Sequence, residues 1–170
     1  MACDITIGRD RACKDGLGGN STLYLYNELA DAFTVLGGEA TAMNVLLTAA
    51  FAFPLEGDGN TLEQSMVSDR NTGTKVNTQT LTVMLKNMDA ATSAEFNLLA
   101  AGYPQAVVVD RNGNHHAIGL DDGIDFTVLA STGGAKTDMN GYTLTGVATT
   151  TDIAPLLDDS TVLAFEAVVS

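Results

Sequence analysis

Short runs of apolar, β-branched and aromatic residues, broken by Gly, Asn and Asp clusters, set the pattern of this chain. After the breaker Gly18-Gly19-Asn20, Thr22-Leu23-Tyr24-Leu25-Tyr26 reads as a strand, and Phe33–Leu36 as a second, ended by Gly37-Gly38. Residues 41–55 carry an apolar run that fits a strand or a buried helix segment equally well. Gly57-Asp58-Gly59-Asn60 predicts a turn, and strands at 61–69 and 74–86 follow, separated by Arg70-Asn71-Thr72-Gly73. One helix is expected over Ala90–Ala101, with Asp89 as N-cap, Gly102 and Pro104 as stop, and Phe96, Leu98 and Leu99 as its inward stripe. Beyond it, 106–109 and His115–Ile118 form a hairpin with a type I′ turn at Asn112-Gly113. Further strands are expected at 124–130, 141–148 and 161–168. The sum is a mainly β fold with one packed α-helix: an antiparallel β-sandwich or partly closed barrel with a long protruding β-hairpin.

The 61–69/74–86 hairpin is the most informative of these elements. A four-residue loop sets Asp69 opposite Thr74, Val67 opposite Val76, Ser65 opposite Thr78 and Glu63 opposite Thr80, all on one face. The other face carries Leu62 against Leu81, then Val83 and Leu85. At ~3.3 Å per residue the second strand is about 40 Å long, well beyond the usual roughly 5–6 residues. A polar hairpin of that length asks for neighbours.

Composition sharpens the picture. The length of 170 residues suits one domain over 1–170, with 1–20 as an extended N-terminal arm. Hydrophobic residues make up 45 % and charged residues 17 %, enough for a core and unlike a disordered acidic tail. With 8 basic and 21 acidic residues the net charge is −13, which argues against sequence-reading DNA binding. Residues 1–15 are neutral, three acids against Arg9, Arg11 and Lys14, so the excess lies in the body, 18 acids to 5 bases. A basic segment beside an acidic body either reaches a neighbour's surface or is a solvated tail. No apolar run is long enough to span a bilayer, and the first fifteen residues lack the apolar stretch of a secretory signal. Cys3 and Cys13 are then expected as reduced thiols, although spacing alone leaves a disulfide open.

Candidate chemistry is sparse. His115 and His116 are adjacent on a strand and point to opposite faces, so they do not chelate one ion. Asp121-Asp122-Gly123 with Asp125, and Asp58 with Asn60, lack the order and the distant Glu of a calcium loop and read as solvated turns. Gly16-Leu17-Gly18-Gly19 lacks the Lys-Ser/Thr of a P-loop, and no G-x-S-x-G occurs. Cys13 beside Lys14 has no base nearer in sequence than the two histidines. The expectation is no enzyme, no metal and no cofactor.

Three segments carry a resemblance. They are Gly8-Arg9-Asp10 with Cys13-Lys14-Asp15 leading to Gly18-Gly19; Leu62-Glu63-Gln64, Asn71-x-Gly73-Thr74 and Gln79-Thr80-Leu81-Thr82 through the helix to Gly102-x-Pro104; and Thr137-Asp138-Met139-Asn140-Gly141-Tyr142-Thr143-Leu144-Thr145. In order and spacing they resemble the major tail (tail tube) proteins of tailed bacteriophages, of the type seen in marine and Bacteroidetes-infecting phages. The match departs after Tyr142, where Gly146-Val147-Ala148 is small and bland, and residues 28–50 and the stretch from Thr149 match poorly.

The resemblance implies a virion structural protein, made in the host cytoplasm and placed in the phage tail. Its partners would be itself, as hexameric rings stacked into a tube, other tail, baseplate and tail-terminator proteins, and phage DNA passing through without sequence-specific binding. No membrane binding is expected of this chain. Glu63, Ser65, Thr78 and Thr80 become lumen-facing candidates, and Arg9, Arg11 and Lys14 inter-subunit candidates. A capsid decoration or head–tail joining protein, and in a different class a β-sandwich carbohydrate-binding or hydrolase domain, are the alternatives.

Overall fold

The computed structural model describes residues 3–170. In chain order the elements are β1 (Asn20–Tyr26), β2 (Phe33–Leu36), β3 (Glu39–Met43), β4 (Phe51–Pro54), β5 (Thr61–Asp69), β6 (Thr74–Lys86), α1 (Ala90–Ala101), β7 (Gln105–Asp110), β8 (His115–Ile118), β9 (Asp125–Ser131), β10 (Gly141–Thr150), β11 (Leu156–Leu157) and α2 (Asp159–Glu166). They make two sheets. One has seven strands in the order β2-β3-β11-β8-β7-β1-β4; the other has four in the order β5-β6-β10-β9. Every pairing between these strands is antiparallel except β11 with β3.

Strand alternation places the core. Leu23, Leu25, Ala106, Val108 and Ile118 on one face of the large sheet meet Leu81, Val83, Phe126, Tyr142 and Leu144 on one face of the small sheet. Tyr26, Val107 and Ala117 point the other way and pack with Ala40, Leu47, Leu157 and Phe165 of α2. The large sheet is therefore covered on both sides and the small sheet on one. This is a β-sandwich, and neither sheet closes into a barrel. Each fully buried Leu or Val contributes roughly 1.5–3 kcal/mol relative to exposure, so these two clusters hold the layers together.

α1 forms where its cap predicts. The Asp89 carboxylate accepts from the Thr92 N–H and hydroxyl, both at 2.7 Å, and the Gly102 N–H closes the helix on the Leu98 carbonyl. Phe96 is buried against Phe53 and Tyr142. Leu98, expected inward, is 68 % exposed. At 100° per residue it stands about 200° from Phe96, while Leu99 lies on the packed side and is half-buried.

Three further expectations are corrected. Residues 161–168 do not form a strand; most of that segment belongs to α2, so the described residues hold two helices. Its β-branched and aromatic residues suit a strand locally, but the Asp158 carboxylate accepts from the Thr161 N–H at 2.7 Å, and Thr161 and Phe165, four apart, are the positions buried. The partly closed barrel is not formed. The turn at Asn112-Gly113 is not type I′, which needs positive φ at both residues. Only Gly113 has it (φ 87°), and the Gly113 N–H closes on the Asp110 carbonyl. The Asp110 carboxylate organises that turn instead, accepting from the N–H groups of Asn112 and Asn114 at 2.9 Å each.

Candidate functional site

β5 and β6 pair in the register read from the sequence: Asp69↔Thr74, Val67↔Val76, Ser65↔Thr78, Glu63↔Thr80 and Leu62↔Leu81. β10 and β9 extend that ladder. Directly opposed residues share a face, so the outward side of the small sheet is built in rows. One row runs Glu63, Thr80, Val147, Asp125; the next runs Thr61, Thr82, Thr145, Thr127. Ser65, Thr78 and Thr149 follow on one side, and Met84, Thr143 and Leu129 on the other. At ~4.8 Å between strands, this is a plane of hydroxyls with acids toward its edges.

The four lumen candidates thus lie together on one uncovered face, Glu63 and Ser65 exposed, Thr78 and Thr80 half-buried. Glu63, Asp69 and Asp125 carry negative charge there. Lys75 is out of step with that face and pairs with Asp152 on the other. Lys86, at the end of β6, sits 3.8 Å from Glu56. β5 and β9 are the edge strands.

The opposite side of the same hairpin holds residues that the sequence reading missed. Gln64, Asn77 and Gln79 share parity with Leu62 and Leu81, and Asn77 and Gln79 are buried. Gln64 Oε1 accepts from Asn77 Nδ2 (3.1 Å) and the Ala154 N–H (2.8 Å). Asn77 Nδ2 also donates to the Asp152 carbonyl (3.0 Å), and Gln79 Oε1 accepts from the Gly119 N–H (3.0 Å). Extending the apolar row by two residues would have found them. They stitch the hairpin to segments 119 and 150–154. Beyond Asn77, which pairs with Thr150, β10 ends. Val67 and Val76 then stand exposed in the overhanging tip, with Met66 exposed at its base.

Gly141 and Tyr142, in the third resemblance segment, have a structural task. The Tyr142 hydroxyl donates to the Asp89 carbonyl at 3.0 Å, and the Asn87 N–H donates to the Asn140 carbonyl at 2.7 Å. A Cβ on Gly141 would fall 2.1 Å from the Leu85 carbonyl oxygen, so only glycine lets β10 lie against β6 here. The segment locks the outward sheet to the start of α1.

Several carboxylates serve the frame. Hydrogen bonds from Thr92 hold the Asp89 carboxyl below its usual range, and those from Thr161 do the same for Asp158. The N–H groups of Ala135 and Gly134 lower Asp138. Burial pushes Asp110 upward, but bonds from Asn114, His116 and Asn112 together outweigh it and leave its carboxyl low. His116 Nε2 lies 3.2 Å from that carboxylate, whereas His115 stacks on Tyr24 on the α2 side. The two rings do face opposite ways. Asn60, read as a turn residue, is buried, and its Oδ1 accepts from the Met84 N–H at 2.8 Å. Among the described residues no three His, Cys, Asp or Glu side chains are grouped as a metal site requires, and no helix is long and apolar enough to cross a membrane.

The arm candidates are not brought to this face. Residues 3–19 are exposed throughout, Arg9, Arg11 and Lys14 included, and Cys3 and Cys13 are exposed free thiols. No family model, curated protein or solved structure matches the chain.

Proposed function

We propose that the chain is a tail tube subunit of a tailed bacteriophage, a virion structural protein without catalysis, whose copies form rings that stack into a channel for DNA. One observation carries the reading: the small sheet is covered on one side, offers a hydroxyl-rich and acid-bearing face on the other, and ends in two long edge strands. Unpaired edges of seven and nine residues invite pairing with another chain. Joining β5 of one copy to β9 of the next removes both edges and turns the outward faces into one continuous wall. The face suits a channel for DNA. Hydroxyls hydrate well and hold no charge, and the acids repel phosphates, whereas a basic wall would retain them. The overhanging tip, with Val67 and Val76 exposed, gains cover only from neighbours.

The resemblance in the sequence and this geometry support the same reading independently. Negative-stain microscopy of the purified protein tests it. Rings or tubes with an open lumen are expected, and monodisperse monomers at all concentrations overturn it.

A further inference from the structure

Two Asn-Gly pairs occur in the chain, Asn112-Gly113 and Asn140-Gly141. Such a pair can modify itself, because glycine has no Cβ to keep its nitrogen off the Asn side chain. The deprotonated glycine nitrogen attacks the Asn Cγ, a C–N bond forms, and the side-chain nitrogen leaves as ammonia. Water then opens the cyclic imide at one of its carbonyls, giving aspartate or isoaspartate. Only water is consumed, and nothing is oxidised or reduced.

The fold holds the two pairs differently. Gly141 is buried at the start of β10, between Lys86 of β6 and Ser131 of β9, and a Cβ on it would fall 2.1 Å from the Leu85 carbonyl oxygen. The Asn140 carbonyl accepts from the Asn87 N–H at 2.7 Å, so the peptide plane that carries the Gly141 nitrogen is fixed. Asn112 and Gly113 are both exposed, in the turn between β7 and β8. There the Gly113 N–H is held by the Asp110 carbonyl at 3.1 Å.

The Asn112 side chain clamps the base of the N-terminal arm. The Leu17 N–H donates to its Oδ1 at 2.8 Å, and its Nδ2 donates to the Leu17 carbonyl at 2.9 Å. Among the described residues no other hydrogen bond fastens residues 3–17 to the body; the next tie is the Arg111 N–H on the Gly19 carbonyl, at 3.1 Å. We propose that Asn112 is a modification site, whose conversion to aspartate or isoaspartate unlatches the arm at Leu17. A carboxylate has no N–H for the Leu17 carbonyl and sets a charged oxygen against it instead. The new charge falls on the residue whose N–H the Asp110 carboxylate already holds at 2.9 Å. Isoaspartate also adds a methylene to the backbone, which moves the N–H groups of residues 112 and 114 away from that carboxylate. The clamp in turn slows the reaction, since a carboxamide held at both ends must leave Leu17 before its carbon can turn onto the Gly113 nitrogen. One chain suffices for this step, so it stands apart from the tube reading.

Incubation of the full chain in mildly alkaline buffer, followed by peptide mapping with detection of isoaspartate, tests it. Residue 112 is expected to lose its amide about tenfold faster than residue 140 or more, because the turn opens without breaking the sheet. The urea-unfolded chain should lose both at similar rates. In the deamidated fraction, separated by ion exchange, the Leu17 amide should lose its protection from exchange while the buried Val107 keeps its own. Asn112→Asp should free Leu17 without incubation. Leu17→Pro, which deletes the N–H donor of the clamp, should speed the loss roughly fivefold, the weight of one ordinary hydrogen bond. Equal rates at 112 and 140 in the folded chain, no conversion at 112 while the unfolded chain converts, or a deamidated fraction with Leu17 still protected overturns the proposal. A Leu17→Pro rate no faster than that of the unaltered chain overturns it as well.

Discussion

Gln64 on β5 accepts a hydrogen bond from the backbone N–H of Ala154, 2.8 Å away and ninety residues further along the chain. The same oxygen accepts from Asn77, so one side chain fastens the polar hairpin to the loop after β10. Gln64→Leu keeps the bulk but removes the acceptor of the Ala154 N–H and of the Gln79 amide, while Asn77 keeps its bond to the Asp152 carbonyl. Such a loss costs about 1–3 kcal/mol when the orphaned groups stay buried. Urea unfolding of the two proteins checks it, and a change within about 0.5 kcal/mol, as at an ordinary surface position, would mean water takes the place of the oxygen.

The overhang gives a dynamic prediction. Residues 67–76 project past the end of β10, while Asn77 and Gln79 are buried. In the lone subunit, amide exchange should be fast up to Val76 and slow from Asn77 onward, because the tip buries little apolar surface. Assembly should slow the tip. Equal protection of the tip in free and assembled protein would remove its need for neighbours.

Charge on the outward face is the third prediction. Glu63 is exposed and belongs to neither core cluster. If the outward face lines the proposed channel, Glu63→Lys should leave folding and assembly intact while placing a phosphate-binding cation in every subunit of its wall. Particles assembled with this variant should release DNA more slowly, with the delay easing as salt rises. Release at the normal rate would place this face away from the DNA path.

Gly141→Ala tests the lock between β10 and α1. The added methyl meets the Leu85 carbonyl oxygen at 2.1 Å, and backbone on both sides must shift. Overpacking of this kind costs typically ~1–3 kcal/mol, so the melting temperature should fall by several degrees. Tyr142→Phe, which removes the hydroxyl that donates to Asp89, should cost less, about 1 kcal/mol. The reverse ranking would mean the ladder can part at Gly141 without strain.

Acid should destabilise the fold through carboxylates that are lowered in the native state. Asp89, Asp110, Asp138 and Asp158 are all shifted downward. A carboxyl with a depressed native pKa stabilises the fold above its unfolded value, near ~3.9, and loses that contribution as pH falls through the native value. Melting temperature should thus hold from neutral pH to about 5 and drop below about 4. Asp110→Asn should lower stability more at pH 7 than at pH 3; equal losses at both would show that the Asp110 charge does not matter.

The sheet hairpin and the first helix were legible in the chain because each is closed by local signals. A four-residue loop between two runs of period two sets the β5–β6 register, and a capping Asp with a terminal Gly sets α1 to the residue. Side-chain parity alone put Glu63, Ser65, Thr78 and Thr80 on one face. Local signals mislead where packing outweighs them: the 161–168 segment has strand-forming residues, yet Phe165 is buried only if the chain turns every 3.6 residues beneath the large sheet. The same limit applies to Gln64, Asn77 and Gln79, polar in sequence and inward in the fold, because their partners at 119 and 150–154 arrive from distant elements. Which strands flank β6, which face of the small sheet stays uncovered, and which side of α1 faces the core depend on pairings between residues far apart in the chain. No window of sequence contains both partners, so those relationships were decided when the two sheets closed over their shared core.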